Sequence, residues 1–528
     1  MKPLLRNLVL SISSAILLTF SFPKYDLEIL AWIGLIPLFF VIRRNNRNGS
    51  FFWCWFSGTL FYFLTISWIT QTMNNYGGMP LWLSFMVLFL LSLYLGLYPG
   101  IFGYLTKYIS EKTTIPLPFV APFLWVSLEF AKAHLITGFP WASLGYSQYK
   151  FLPIIQIADV TGFYGVSFLI VAVNSAIFYL FTLQRDKGMS KRWEIVSISY
   201  VAFVFFLSLG YGYYKLSASY GSSDRKIGIA VIQGNIPQHL KWDRNFQRRT
   251  IDIYKQLTNE AAKYNPELVI WPETAAPFFF QDHTLYRNEL YDLAATGNTY
   301  ILFGNPAYKL AENSTLNMLN SAWLISPYKR TIARYDKMHL VPFGEYVPLS
   351  KILFFIEKMV VGIGDFIPGK DYTVMEIPQA KLGVVICYEV IFPELVRKFI
   401  LNGAMFMTTI TNDAWFGKTS APYQHFAMVV FRSVENRVYF ARAANTGISG
   451  FISPKGEILQ ASPIFEETFL VQNIFPSNTK TFYTKYGDLF AYGTIFVACL
   501  MIMVFILYPT SHNQPPPPNN KQYKRNIE

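Results

Sequence analysis

The chain has 528 residues, of which 52% are hydrophobic, 18% aromatic and only 15% charged, against about 25% charged in soluble domains. That imbalance excludes an ordinary soluble globular protein and points to a membrane. The net charge of +13 suits either nucleic acid or a topology signal, and its placement along the chain decides between them.

A bilayer-spanning helix needs about 20 mostly apolar residues. Such runs lie near 8–22, 28–42, 51–70, 81–105, 115–132, 161–183 and 195–214, with an eighth near 488–508. The first two are short and also suit a re-entrant hairpin. Residues 1–22 carry Lys2 and Arg6 before an apolar run, as a signal peptide does. No small-residue cleavage site follows and further spans do, so this segment reads as an uncleaved anchor. With the N-terminus in the cytoplasm, fourteen basic residues fall on cytoplasmic segments: Lys2, Arg6, Arg43, Arg44, Arg47, Lys107, Lys112, Arg185, Lys187, Lys191, Arg192, Lys521, Lys524 and Arg525. The short outside loops hold only Lys24, Lys132 and Lys150. The asymmetry predicts eight spans with both termini cytoplasmic. It also accounts for most of the basic excess, so no nucleic acid is needed as a partner.

Between the seventh and eighth runs lie about 270 residues, enough for one α/β domain. Strand candidates are "KIGIAVIQG", "ELVIWPE", "TYILFGNPAY", "NSAWLISP", "KLGVVICYE" and "AMFMTTITND"; helix candidates lie near 244–264, 284–296, 391–402 and 423–440. Alternating strands and helices predict a layered α/β fold. The expected domains are 1–217, a membrane domain of seven transmembrane helices; 218–484, an extracytoplasmic α/β domain; 485–510, a C-terminal transmembrane helix; and 511–528, a Pro-rich, disordered cytoplasmic tail.

Of the three cysteines, Cys54 and Cys499 lie in membrane-like runs and only Cys387 lies in the polar part. That domain can form no internal disulfide. A free Cys is most often a small buried hydrophobe, but a lone thiol outside the cytoplasm needs a reason. The six His are scattered and form no ligand pair, so no metal is expected. There is no nucleotide motif, and no cofactor is expected.

Three strand candidates end in or adjoin reactive groups. "LVIWPETAAP" carries Glu273, "ARYDKMHLVPFGEYVP" carries Lys337 and Glu345, and "LGVVICYE" carries Cys387. A thiolate is a nucleophile, and a nearby Lys lowers its pKa. A carboxylate takes the thiol proton and passes it to a leaving group. Lys stabilises an oxyanion together with a backbone N–H at a strand-to-helix elbow, here that of Tyr388. Each residue alone has a plainer reading: Glu273 as a carboxylate at a helix start, Lys337 in a surface ion pair with Asp336, Glu345 as a turn carboxylate.

Taken in this chain order, the motifs resemble the Glu–Lys–Cys triad of the nitrilase superfamily. With the N-terminal spans, the C-terminal span, "VIQGNIPQHLKW" at 231–242, "TNDAWFG" at 411–417 and "GFPWASLGYSQ" at 138–148, the chain is similar to the apolipoprotein N-acyltransferase family over nearly its whole length. The resemblance implies an α/β nitrilase-like αββα sandwich inserted between the transmembrane helices of an eight-span helical membrane domain. It places the protein in the bacterial inner membrane with the catalytic domain on the periplasmic side. It implies a two-step reaction, the last of lipoprotein maturation. Cys387 attacks an acyl ester of a phospholipid, typically phosphatidylethanolamine, and keeps the acyl chain as a thioester. The α-amine of a diacylglyceryl-cysteine at an apolipoprotein N-terminus then takes it. Glu273 is implied as general base and Lys337 as oxyanion stabiliser, with Glu345, Tyr388, Glu389 and Trp242 in supporting or substrate-binding roles. A monomer is expected.

A physical reason agrees. Both substrates are lipids, and drawing an acyl chain into water costs about 0.8 kcal/mol per CH₂. A site mounted on a membrane bundle avoids that cost. Two competing readings are a membrane-tethered amidase or nitrile hydrolase and a non-catalytic membrane scaffold. Seven spans exceed what a tether needs, and the spans are poor in the ionisable residues that transport favours. Residues 350–369 suit either a bilayer-touching lid or a core helix. The aromatic loops 74–82 and 138–149 suit a platform for the catalytic domain or interfacial anchors, and anchoring is expected for most of their rings.

Overall fold

The computed structural model describes residues 2–182, 191–221, 226–282, 285–310, 316–346 and 366–507. The catalytic half is built from β1 (Ile227–Gln233), β2 (Leu268–Ile270), β3 (Tyr300–Leu310), β4 (Leu316–Ser326), β5 (Arg330–Asp336), β6 (Met375–Ile377), β7 (Ala380–Ile386), β8 (Phe406–Thr411), β9 (Phe440–Ala444), β10 (Gly450–Ile452), β11 (Ile458–Ala461) and β12 (Thr468–Ile474). They form two six-stranded sheets, ordered β12-β1-β2-β3-β4-β5 and β11-β10-β9-β8-β7-β6. The centre of each sheet is parallel, β1-β2-β3 and β7-β8-β9. Parallel neighbours need long crossovers, and here helices Arg244–Ala262, Leu285–Thr296, Pro393–Leu401 and Ala421–Asn436 supply them.

The period-2 geometry of a strand explains the layering. Ile227, Ile229 and Val231 of β1 join a core with Ile270, Leu302 and Leu324 of their own sheet and Val384 and Met407 of the other. Ala230 and Ile232 point the opposite way, onto Ile251, Tyr254 and Leu257 of the Arg244–Ala262 helix. The result is helix, sheet, sheet, helix, as expected. All six strand candidates and all four helix candidates are present.

Among the described residues of the N-terminal half, four helices are long and apolar enough to cross a membrane: Pro3–Ser21, Leu81–Lys112, Phe163–Thr182 and Arg192–Ser217. A fifth crossing results if Arg47–Thr65 and Trp68–Asn75, bent by 53°, count as one span. The run at 28–42 forms a short turn, Glu28–Trp32, and a 9-residue helix, Ile36–Arg44. The run at 115–132 yields the 14-residue helix Ala121–His134. Both fall short of the about 20 residues a straight crossing requires. Among the described residues the full-length spans number four, or five with the bent pair. The eighth run forms Leu489–Leu507.

The aromatic loop 138–149 departs from expectation. Trp141, Tyr146 and Tyr149 are buried inside the protein rather than offered to lipid. Trp82, by contrast, is 70% exposed, as an anchor would be. The loop and the bent helix pair meet the catalytic half directly. Trp68 and Trp141 both donate their indole N–H to Gln424 Oε1, at 3.2 and 2.7 Å. Thr72 and Tyr76 donate to the carbonyls of Trp415 and Ala414. Most of the 350–369 segment, 350–365, lies outside the described residues.

Candidate active site

The functional side chains sit where strands end. Glu273 follows β2, Lys337 follows β5, and Cys387 follows β7. Carboxyl ends of parallel strands open a crevice in α/β sheets. Glu273 can reach it because Gly304 on β3 has no side chain: a Cβ there would lie 2.5 Å from Thr274 N and 2.6 Å from Glu273 Cα.

Glu273 is 6% exposed and its carboxylate is held on both oxygens. Asn320 Nδ2 donates to Oε1 at 2.7 Å, and the backbone N–H of Asn412 donates to Oε2 at 2.9 Å. Lys337 Nζ lies 3.6 Å from Glu273 Oε1 and 3.0 Å from Glu345. Burial alone would lower Lys337, but Glu345 and Glu273 outweigh it and hold the ammonium above its usual range. Lys337 is therefore a permanent cation, not the partner of Asp336 in a surface pair. Glu345 also accepts from Asn320 Nδ2 at 2.9 Å and from Val341 N at 2.8 Å. It fixes both the lysine and its own turn.

Cys387 is 8% exposed and has a φ of +53°. A non-glycine residue in that region marks a strained elbow. Burial, then Glu273, pushes its thiol up, with Lys337 opposing. The net shift is upward, against the lowering expected from a neighbouring Lys. The group at rest is a protonated thiol, and Glu273 is the carboxylate whose charge bears on it.

Glu389 is fully buried and accepts four donors. Oε1 takes Tyr335 Oη and Met338 N at 2.7 Å and His339 N at 3.1 Å; Oε2 takes Ile386 N at 2.7 Å. It ties the loop after Lys337 to the strand before Cys387. Burial pushes it up to about 7, against its backbone donors and Lys337. Tyr388 stacks edge-on to Phe392 with centroids 5.2 Å apart. Trp242 lies on the loop after β1 and is 41% exposed, unlike the buried Glu273, Lys337 and Cys387. Its neighbour Lys241 points inward instead, 1% exposed, with Nζ donating to the Glu273 carbonyl at 2.9 Å. Burial lowers Lys241 to about 7, with Glu273 and Cys387 opposing. Sequence reasoning quoted "HLKW" but missed Lys241, as it missed Asn320 and Asn412. Asn412 lies in the quoted "TNDAWFG"; Asn320 carries no motif. Among the described residues no group of three or more His, Cys, Asp or Glu is disposed to hold a metal ion.

A buried thiol, carboxylate and ammonium at the strand ends of an αββα sandwich, carried on apolar helices, define a membrane-mounted enzyme of the carbon–nitrogen hydrolase class. Residues 228–482 match the carbon-nitrogen hydrolase family, and residues 14–176 match the apolipoprotein N-acyltransferase N-terminal domain. The chain is 41% identical over 514 residues to an apolipoprotein N-acyltransferase of Geobacter metallireducens, covering 96% of this chain and 97% of that one. It is 31% identical over 504 residues to one of Haemophilus influenzae, covering 94% and 95%. Among solved structures, a nitrilase-superfamily amidase from Nesterenkonia AN1 is 20% identical with a TM-score of 0.36, covering 51% of this chain and 96% of that one. The chain belongs to the apolipoprotein N-acyltransferase family. It is an acyltransferase of bacterial membranes.

Proposed function

We propose that Cys387 carries an acyl chain as a thioester from a phospholipid, phosphatidylethanolamine in the first instance, to the α-amine of a diacylglyceryl-cysteine at an apolipoprotein N-terminus. Glu273 takes the thiol proton as Sγ attacks the ester carbonyl. The oxyanion meets the Lys337 ammonium and the Tyr388 N–H. Collapse expels the lysophospholipid oxygen, which takes the proton from Glu273. The amine then attacks the thioester, Glu273 takes its proton, and the proton returns to the leaving Cys387 sulfur. Glu345 and Glu389 hold Lys337 and the elbow in place, and exposed Trp242 offers a ring to lipid.

The observation that carries this reading is the convergence of Glu273 and Lys337 on one buried thiol, in a domain seated on apolar helices. The fourteen-to-three distribution of basic residues supports a catalytic domain on the periplasmic side, with both termini cytoplasmic. Eight crossings additionally require 28–44, Ala121–His134 and Leu489–Leu507 each to traverse, with neighbours covering the shorter ones. The boundaries 1–217, 218–484, 485–510 and 511–528 follow from the same topology, and a monomer suffices because all site residues come from one chain.

Intact mass spectrometry of the protein mixed with phosphatidylethanolamine of defined chains tests the proposal, with Cys387→Ala alongside. A fatty-acyl increment that neutral hydroxylamine removes, absent from the variant, is expected. No adduct on folded protein, or hydrolysis of small soluble amides instead, would overturn it.

A further inference from the structure

Behind the Cys387 backbone lies a second polar cluster that the acyl-transfer steps do not use. His425, Asp413 and Arg442 are all fully buried. His425 Nε2 is 3.2 Å from the Cys387 carbonyl oxygen. Its Nδ1 is 3.2 Å from Asp413 Oδ1 and 3.1 Å from Arg442 Nη2. Arg442 Nη2 donates to Asp413 Oδ2 at 2.7 Å, and Thr411 Oγ1 donates to Asp413 Oδ1 at 2.8 Å.

This network fixes the tautomer. A carbonyl oxygen only accepts, so His425 Nε2 must carry a proton. Burial, then the Arg442 charge, lowers His425 and keeps it neutral. Nδ1 is then the bare nitrogen: it accepts from Arg442 Nη2 at 3.1 Å, and its 3.2 Å approach to Asp413 Oδ1 is no hydrogen bond, since both atoms are acceptors bridged by the same guanidinium. The imidazole has one N–H, and that N–H has one acceptor, the carbonyl of Cys387.

Holding that carbonyl has a consequence across the peptide bond. The Cys387 C=O and the Tyr388 N–H belong to one planar trans unit and point in opposite directions. A carbonyl pinned toward His425 aims the Tyr388 N–H away from it. Such a donor stabilises an oxyanion only if it is aimed before the reaction begins.

The imidazole is held in turn by the membrane half. Trp141 stacks on it with centroids 5.7 Å apart and planes 28° apart. The Trp141 carbonyl accepts Lys132 Nζ at 2.7 Å, and its indole N–H donates to Gln424, the residue before His425.

We propose that His425 is a positioning residue: it holds the Cys387 carbonyl so that the Tyr388 N–H faces the reacting ester carbonyl, and Trp141 of the membrane loop holds His425. This rests on Cys387 being the acyl carrier.

The test measures thioester formation on full-length protein with phosphatidylethanolamine vesicles as donor. His425→Leu is expected to lower kcat by about 100-fold, the loss that follows removal of one oxyanion donor. KM is expected to hold, because the contact acts in the transition state. His425→Gln places an N–H where Nε2 was and restores most of the rate. His425→Asn places one where Nδ1 was and does not. If His425→Leu fails to fold, the Gln-against-Asn comparison decides alone. Trp141→Leu lowers the same rate and adds little to His425→Leu. A full rate in His425→Leu, a loss confined to KM, or Gln no better than Asn overturns the proposal; additive losses overturn the part given to Trp141. A wild-type protein that forms no adduct would instead sink the thioester reading itself.

Discussion

Four donors converge on Glu389, and only a carboxylate accepts on all its lone pairs at once. In Glu389→Gln one oxygen becomes an NH₂ that faces the Ile386 N–H or the cluster around Tyr335. At least one buried donor loses its partner, at about 1–3 kcal/mol. We expect a lower Tm with Cys387 still present and alkylatable, measured by thermal denaturation in detergent. An unchanged Tm would mean that the elbow does not depend on this brace. Lys241 makes a second prediction with a definite sign. Its buried amine titrates near 7, whereas an unfolded lysine titrates near about 10.4. Between those values the unfolded chain binds the extra proton, so stability rises with pH across that window. Below it the full cost of burying the charge is present. Lys241→Met is expected to raise Tm more at pH 6 than at pH 9.5, and equal changes at both would remove burial as the cause. The triad was legible because a thiol, an ammonium and a carboxylate at strand ends announce chemistry by residue type. Asn320, Asn412 and His425 were not. They are ordinary polar residues until the fold brings them together.

At the scale of elements, the crossing of β3 under the Glu273 turn depends on one missing side chain. A methyl group at Gly304 would sit 2.5 Å from Thr274 N and 2.6 Å from Glu273 Cα. These are backbone atoms, so the turn must move. Displacing a proton-transfer group by about 1 Å costs about 100-fold in rate. Gly304→Ala is therefore expected to slow thioester formation by roughly that factor while the sheet still forms, checked by single-turnover mass spectrometry beside circular dichroism. A wild-type rate would show that Glu273 has slack. The long apolar strands were readable from periodicity and composition. The strands β5, β6 and β9 to β12 were not, because they are short or half-exposed, and the expected helix at 423–440 ran on to the first residue of β9, Phe440. That helix ends at Asn436 because Arg437 adopts a left-handed φ of +54°. No glycine marks the spot. The guanidinium is fixed instead by Asp159 at 2.9 Å, by the Gln156 side chain and by the Pro454 carbonyl.

Those contacts belong to a larger pattern. Apart from Tyr423, every residue of Ala421–Asn436 is buried, whereas a helix at a protein surface shows a polar face. One side lies on the second sheet. The other meets residues of the N-terminal half: Phe431 against Tyr146 at 5.2 Å, Arg432 Nη2 on Tyr146 Oη at 2.9 Å, and Glu435 Oε1 on Phe163 N at 3.2 Å. Apolar runs revealed that a membrane half exists and charge asymmetry gave its expected sidedness, but neither could reveal this junction, since docking follows from buried contacts. The Arg432–Glu435 pair at 3.0 Å has little worth in water and needs its enclosure. Residues 226–482 expressed alone would strip Tyr146, Asp159 and Trp141 from this helix at once. They would leave Phe431 and the His425 edge open to solvent. We expect that fragment to aggregate or self-associate through the uncovered face, seen by size-exclusion chromatography with light scattering, and to form no thioester. A soluble monomer that acylates Cys387 at the full-length rate would mean that the membrane half delivers lipid and nothing more. Failure of the fragment, with recovery when residues 2–221 are co-expressed, would mean that the membrane helices complete the catalytic fold.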